Sequence, residues 1–217
     1  MTLKQQLTQI SDTGFEKIPK AIARVLLDGI EEIKSSKLKQ KGLKEGDIVP
    51  NLKLLDNNNN LRSLSEFMHH DFLILNFYRG GWCPYCNLEL RAYQNLRQDF
   101  ISAGADIIAI SPEKPEIALD TSIKNSISFP VLSDINATMM KAMGIAFTLN
   151  DALKKEYVNF GIDLTTRHNN YNFELPVPAI YVINKDFEIV FRYFEENHMT
   201  RLEPKELIEF IKNNRNK

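Results

Sequence analysis

The chain has 217 residues, of which 43% are apolar and 10% aromatic, enough for one hydrophobic core with some elaboration. Its 27 Lys and Arg residues nearly balance 28 Asp and Glu residues, and no long block of one sign occurs. A net charge of -1 supplies no field that would attract a phosphate backbone, so nucleic acid is not expected as a partner.

The first residues lack the basic stretch, the apolar run and the small-residue cleavage site of a secretory signal. No apolar stretch approaches the length of a membrane-spanning helix. We therefore expect a cytoplasmic protein that has no membrane partner.

Residues 1–42 predict an N-terminal helical extension, and residues 43–217 predict the main domain. Apolar residues of the extension recur at helical spacing on both sides of an expected break at residues 11–14. They are Leu3, Leu7 and Ile10 before the break and Ile18, Ile22, Leu26, Ile30 and Ile33 after it. This stripe favours docking on the main domain, with a dimer contact as the alternative.

The main domain opens with alternating residues at 46–63, which predict a hairpin turned by the asparagine run 57–60. The apolar run Phe72–Tyr78 predicts a central strand that is buried on both faces. The period then becomes helical from Pro84 onward. The apolar residues of that helix are spaced four apart: Leu88, Ala92, Leu96 and Phe100.

Later segments alternate strands with helices, which predicts an α/β fold with a central mixed sheet flanked by helices. Residues 147–176 are interpreted as a long surface excursion with a helix over residues 152–158. The other predicted elements are strands at 106–110, 129–132, 179–183 and 188–193, helices at 116–124, 136–143 and 204–213, and a turn at 184–186.

The two cysteines, Cys83 and Cys86, are separated only by Pro84 and Tyr85. A structural disulfide stabilises a protein by closing a long loop, which this pair cannot do, and a reducing cytosol would not keep it closed. The pair therefore predicts a functional dithiol; the alternatives are two buried thiols or half of a zinc site. No histidine pair has the spacing of zinc ligands, so neither a metal nor a cofactor is expected. The histidines are His69, His70, His168 and His198.

The dithiol lies between a buried strand and a helix, which makes it a stronger signal than an isolated CxxC. A helix N-terminus offers unpaired N–H groups and positive potential that stabilise a thiolate. Cys83 and Cys86 are about one helical turn apart, so their sulfurs can form a reversible disulfide. Arg79 and Arg91 are candidates for added positive charge, with solvation or a carboxylate partner as the alternative.

Residues 76–90, NFYRGGWCPYCNLEL, resemble the signature of a CxxC-containing, peroxiredoxin-like subgroup of the alkyl hydroperoxide reductase and thiol-specific antioxidant superfamily. Three further matches extend the resemblance over about residues 43–213. They are Gly46-Asp47 with Pro50, FPVLSD at 129–134, and LPVPA with YVI at 175–183.

This resemblance implies a thioredoxin-like fold with an N-terminal hairpin. It implies a thiol-dependent peroxidase that reduces hydrogen peroxide or alkyl hydroperoxides through a Cys83/Cys86 dithiol–disulfide cycle. A thioredoxin- or glutaredoxin-type protein is the implied reductant, and a homodimer is left open.

The chain departs from the usual peroxiredoxin pattern Pro-x-x-x-Thr/Ser-x-x-Cys at two positions. Arg79 stands in the proline place and Cys83 in the threonine place, while Cys86 stands in the place of the peroxidatic cysteine. Pro178 stands where the arginine that helps to hold the peroxide is aligned, so that arginine is expected to be absent.

Trp82 before the dithiol and Pro178 after Val177 resemble thioredoxin instead, which implies a cis-proline that faces the two cysteines. An ordinary proline at a strand entry is the alternative. We interpret Trp82, Pro84, Arg79 and Pro178 as residues that support the site.

The two resemblances imply different roles within the dithiol. We expect Cys86 to attack the peroxide, and a more exposed Cys83 to resolve the sulfenic acid and meet the reductant. A thioredoxin-like protein disulfide reductase and a redox-sensing or binding module without turnover stay open as alternatives.

Overall fold

The computed structural model describes residues 1–215. The helices of this part of the chain are α1 (Leu3–Lys17), α2 (Lys20–Ser35), α3 (Leu38–Lys41), α4 (Pro84–Asn95), α5 (Arg97–Ala103), α6 (Pro115–Lys124), α7 (Thr138–Ala142), α8 (Asp151–Asn159), α9 (Leu164–His168) and α10 (Pro204–Asn214). The strands are β1 (Lys53–Leu55), β2 (Leu61–Ser63), β3 (Phe72–Phe77), β4 (Ala105–Ser111), β5 (Val131–Ser133), β6 (Ala146–Thr148), β7 (Glu174–Pro176), β8 (Ala179–Ile183) and β9 (Ile189–Phe194).

The apolar strand β3 lies inside a seven-stranded sheet with the order β2-β1-β5-β4-β3-β8-β9. It pairs parallel with β4 and antiparallel with β8, so the sheet is mixed. All six residues of β3 are buried. The predicted α/β fold with a central mixed sheet is confirmed, as is the central place of this strand.

Two hydrophobic cores lie on the two faces of the sheet, and β3 contributes to both. Leu73, Leu75 and Phe77 join one core, and Phe72 and Ile74 join the other, which also contains the apolar residues of α4 and α10. Successive side chains of a strand point to opposite faces, so a strand covered on both sides needs an uninterrupted apolar run.

Both predicted hairpins are present. β1 pairs antiparallel with β2 across a turn in which Asn59 has a φ of 62°. β8 pairs antiparallel with β9, and the Asn184 N–H donates to the Glu188 carbonyl across the turn at 3.0 Å. Asparagine tolerates the left-handed region and hydrogen-bonds its own backbone, which explains why both turns could be identified from sequence.

The expected break at residues 11–14 is wrong, because α1 continues to Lys17. A capping box between Thr2 and Gln5 begins the helix. The helix ends because Pro19 disfavours helical backbone at the preceding residue, and Ile18 is extended, with φ -100° and ψ 147°.

The predicted docking of the N-terminal extension is confirmed. Leu3 and Leu7 of α1 are buried, and α1 packs against α4. Ile30 and Ile33 of α2 are also buried, and α2 packs against α8. The domain boundary at residue 42 stays a prediction.

The interpretation of residues 147–176 as a surface excursion is wrong, although the helix predicted within it is present as α8. β6 pairs with β7 in a separate two-stranded sheet. Buried apolar residues of the segment between these strands and of β7 form a third cluster: Leu149, Leu153, Tyr157, Leu164 and Leu175. Three-residue strands more than twenty residues apart carry little local signal, because their pairing depends on tertiary contacts.

Over residues 1–215, none of the helices combines the length and the apolar character that crossing a bilayer requires.

Candidate active site

The two cysteines lie at the start of α4, directly after the loop that follows β3. Cys83 is the N-cap residue of α4, and Pro84 and Cys86 lie in its first turn. Both cysteines are free thiols, and they are only 1% and 0% exposed. The expectation of a more exposed Cys83 is therefore wrong, because both cysteines belong to the buried core on one face of the sheet, with Trp82 and Tyr85 packed against it.

The four-residue spacing misidentified the buried face of α4. Cys86, Leu90 and Tyr93 are buried, whereas Leu88 and Ala92 are only half-buried. The predicted apolar positions ran through α4 and α5 as if they were one helix. Because these are two separate helices, the spacing did not identify the buried face of α4.

Arg201 is the residue that joins the dithiol to a buried carboxylate. Its Nη2 donates to the Cys86 Sγ at 3.2 Å, and its Nε donates to the Glu89 Oε2 at 2.6 Å. Its Nη1 donates to the carbonyls of His198 and Thr200, each at 2.6 Å. The side chains of Arg201 and Glu89 are 1% and 2% exposed, so this ion pair is shielded from water.

The sequence reasoning missed Arg201. The usual arginine was expected to be absent because Pro178 stands in its place, and no arginine from elsewhere in the chain was predicted to replace it. The guanidinium comes instead from the segment after β9, 115 positions beyond Cys86. The only local signal was Glu89 beside the buried face of α4, since a buried carboxylate needs a cationic partner.

Arg79 lies on the other side of the dithiol and is 4% exposed. Its guanidinium carbon is 4.8 Å from the centroid of the Trp82 ring and 5.6 Å from that of Tyr157. Its charge helps to lower the pKa of Cys83. Arg91 does not reach the site, because its Nη1 donates to the Asn125 Oδ1 at 2.6 Å.

The two thiols have opposite pKa shifts. Burial alone would raise the pKa of Cys83, but a hydrogen bond from the Cys86 thiol and the charges of Arg79 and Arg201 lower it to about 6. Burial and the neighbouring Cys83 raise the pKa of Cys86 well above its usual value. At neutral pH the pair therefore carries one negative charge, which lies on Cys83.

The charges around this thiolate are balanced by a second acidic group. Burial raises the pKa of Glu89 to about 7, and Arg201 opposes that rise. Burial and the charges of Arg79 and Arg201 lower the pKa of His198, so its imidazole is neutral. Two guanidinium groups thus lie near the Cys83 thiolate and Glu89 in a buried environment.

The loop before the dithiol is held by Glu113, which sequence reasoning also missed. The Gly81 N–H donates to the Glu113 Oε2 at 2.8 Å, and the Arg167 Nη1 donates to the Oε1 at 3.1 Å. Gly80 has a φ of 147°, and a Cβ there would lie 2.4 Å from the Trp82 Nε1. The glycine pair is therefore needed for the close approach of the loop to its neighbours.

The predicted cis bond at Pro178 is wrong, because residues 1–215 contain no cis peptide bond. The chain passes in extended form from β7 into β8, and the Val177 N–H donates to the Ile145 carbonyl at 2.9 Å. Pro178 fits the strand-entry alternative, where a missing N–H costs no ladder hydrogen bond.

Over the described residues, no group of three or more His, Cys, Asp or Glu side chains is placed to hold a metal ion.

Comparisons with known proteins identify similar sequences and a similar fold. Residues 46–192 match the model of the AhpC/TSA family. A relative from Mycobacterium tuberculosis that is named as a peroxiredoxin is 30% identical over 102 residues, which cover 47% of this chain and 64% of the relative. Peroxiredoxin Bcp from Escherichia coli is 28% identical over 103 residues, which cover 48% of this chain and 65% of that protein. The matched segment thus spans slightly less than two thirds of these curated relatives.

A similar solved structure is that of peroxidoxin BcpB from Mycobacterium tuberculosis. Its TM-score is 0.63 at 19% identity, and the match covers 79% of this chain and 98% of that one. At this identity the likeness shows a shared fold. Residues 1–45 lie outside the family match.

Proposed function

Because this chain belongs to the AhpC/TSA family, we propose that it is a thiol-dependent peroxidase that acts on hydrogen peroxide or alkyl hydroperoxides. The observation that carries the proposal is the pair of buried thiols at the start of α4, with Arg201 donating to the Cys86 Sγ at 3.2 Å. Positive charge in a buried site stabilises both the attacking thiolate and the departing alkoxide.

The attack begins from the thiolate. The Cys83 sulfur attacks the terminal oxygen of ROOH, the O–O bond breaks, and RO⁻ takes up a proton to leave as ROH. The product on the protein is the Cys83 sulfenic acid. The Cys86 thiol then attacks the sulfenic sulfur, and its proton leaves with the hydroxide as water. One disulfide, one alcohol and one water result.

The order within the pair is part of the proposal. The motif resemblance favours attack by Cys86, but the charge arrangement favours Cys83. Cys83 is the N-cap residue of α4, and the Cys86 thiol and the charges of Arg79 and Arg201 lower its pKa to about 6. These contacts stabilise an anion on Cys83 and keep Cys86 protonated as the resolving group.

A dithiol protein of the thioredoxin or glutaredoxin type returns the disulfide to two thiols. Thiol–disulfide exchange is the chemistry that a CxxC disulfide favours, and the cytoplasm supplies such reductants. We place the protein there on this ground.

Stopped-flow mixing of the reduced protein with one equivalent of peroxide tests the proposal. The free thiols should be lost rapidly and in near-stoichiometric amount. Limiting peroxide applied to Cys83→Ser and Cys86→Ser, followed by a sulfenic-acid trap, assigns the attacking sulfur. Trapped product in Cys86→Ser alone supports attack by Cys83, and product in Cys83→Ser alone reverses the order.

A thioredoxin-like disulfide reductase is the second candidate, because Cys83 is a low-pKa cysteine at the N-cap of a CxxC helix. Rapid reduction of insulin disulfides together with indifference to peroxide would favour it. A redox-sensing module would show neither activity while binding a partner in only one redox state.

A further inference from the structure

The N-terminal extension covers the dithiol region although it lies outside the family match, which begins at residue 46. α1 packs along α4, the helix whose first turn carries both cysteines. Its inner face is anchored by Leu3 and Leu7, which are 3% and 4% exposed.

Contacts from α1 reach the segment that carries Arg201. The Ser11 Oγ donates to the Met199 Sδ at 3.4 Å, and the Lys4 N–H donates to the Glu203 Oε1 at 2.6 Å. Met199 and Glu203 lie two positions before and two positions after Arg201. α1 therefore contacts the segment that carries Arg201 both before and after the arginine in sequence.

Ser11 also contacts the dithiol motif itself. Burial raises the pKa of Tyr85, and a hydrogen bond with the Ser11 side chain opposes that rise. Tyr85 lies between the two cysteines in the CPYC motif. One residue of the extension thus contacts both the arginine segment and the dithiol turn.

α2 lies beside Arg79 and His198 at a small cavity that neither cysteine lines. Its residues Gly29, Ile30 and Ile33 line a cavity of about 20 Å3 together with Arg79 and His198. A cavity of this size accommodates about one water-sized molecule. A much wider cavity of about 680 Å3 lies outside, between α1 and the segment around Arg201.

We propose that α1 and α2 form a cover that sets the size of what reaches the dithiol. Because both sulfurs are buried, a small hydroperoxide needs only a minor local fluctuation of the cover to reach them, whereas α1 must leave α4 before a protein thiol reaches either sulfur. The proposed cover rests on the proposed peroxidase function, because it distinguishes the substrates that react with the closed protein from those that react only after α1 has left α4.

Disulfide exchange requires the attacking sulfur to approach the disulfide directly, and neither sulfur has the exposure that such an approach requires. Local opening supplies it: α1 is a 15-residue helix with only two buried side chains, so it separates from the core more readily than the sheet unfolds.

The test compares alkylation of the reduced, full-length protein by iodoacetamide and by a bulky fluorescein maleimide. In the unaltered protein the bulky reagent should react at least about tenfold more slowly relative to its reaction with a free thiol, because it waits for opening. Leu7→Ala, which weakens docking, should raise the bulky-reagent rate at least about tenfold. The rate with iodoacetamide and that with hydrogen peroxide should change much less.

Two matched variants control for the substitution. Gln9→Ala lies on the exposed face of the same helix and should leave both rates unchanged. Leu7→Met refills the buried position and should restore the slow bulky reaction. Circular dichroism and the melting temperature confirm that each variant is folded.

The proposed cover would be rejected if both reagents were slowed equally in the unaltered protein. It would also be rejected if Leu7→Ala, in folded protein, left the reaction rate of the bulky reagent unchanged. Alkylation does not depend on turnover. If the alkylation rates differ with reagent size but the protein does not reduce peroxide, the cover is supported and the proposed function is rejected. If the protein reduces peroxide but the alkylation rates do not differ with reagent size, only the cover is rejected.

Discussion

Replacing Arg201 by glutamine removes one of the two guanidinium groups that face the dithiol. Its hydrogen bond to the Cys86 Sγ is 3.2 Å long and buried. An opposite charge beside a titrating group lowers its pKa by about one to three units, and Arg79 stays in place beside Cys83 after the substitution. Because Arg201 also lowers the pKa of Cys83, the value of about 6 should rise to about 7–8.

The thiolate fraction at pH 7 should then fall from about nine tenths to between about a tenth and a half. The rate of peroxide reduction at pH 7 should fall at least in proportion, and more if Arg201 also stabilises the departing alkoxide. The assay is a pH titration of the thiolate by its ultraviolet absorbance, with the rate of reaction with peroxide measured over the same range. An unchanged titration curve in folded Arg201→Gln would refute the assignment of Arg201 as the stabilising charge.

The same substitution leaves Glu89 without its partner at 2.6 Å. Breaking one side of a buried ion pair costs about 3–5 kcal/mol, so the free energy of unfolding should fall by that amount. Adding Glu89→Gln removes the unpaired carboxylate and should recover part of the loss, as measured by urea denaturation. Recovery of stability without recovery of the thiolate pKa separates the structural contribution of the pair from its effect on the sulfur.

Three further predictions concern the dithiol and its loop. One equivalent of peroxide should convert Cys83 and Cys86 into an intramolecular disulfide, seen as a mass loss of about two protons and no dimer on a non-reducing gel; a mainly covalent dimer would contradict this. The folded pKa of Cys83 lies below its usual value of 9.0, so its thiolate contributes fully to the unfolding free energy of the reduced protein above pH 9. This contribution should decrease as the pH falls from 9 to 6 and should be lost once the pH has dropped through 6. Cys83→Ser should lose this dependence in urea titrations. Gly80→Ala should cost about 1–3 kcal/mol in the same assay because of its positive φ and the contact at 2.4 Å, whereas Gly14→Ala, which meets open space, should cost nothing.

Features set by neighbouring residues could be predicted from the sequence. The uninterrupted apolar run of β3, the helix start at Pro84 and the asparagine turns depend on side-chain alternation and on local backbone preferences. The dithiol was identified for the same reason, because a buried strand, two cysteines and a helix follow one another within about fifteen residues.

Features set by distant residues were decided only by the tertiary structure. Arg201 contacts Cys86 across 115 positions, and β6 pairs with β7 although α8 and α9 lie between them in sequence. No local pattern in the sequence therefore predicts either contact. The trans bond at Pro178 follows from the path between two sheets rather than from the residues around it. The sequence by itself therefore indicated the two sulfurs of the dithiol, which follow directly after the central strand. Their charge, their burial and their cover depend on groups that only the folded chain brings together, because electrostatic stabilisation acts through distance in space and desolvation acts through enclosure.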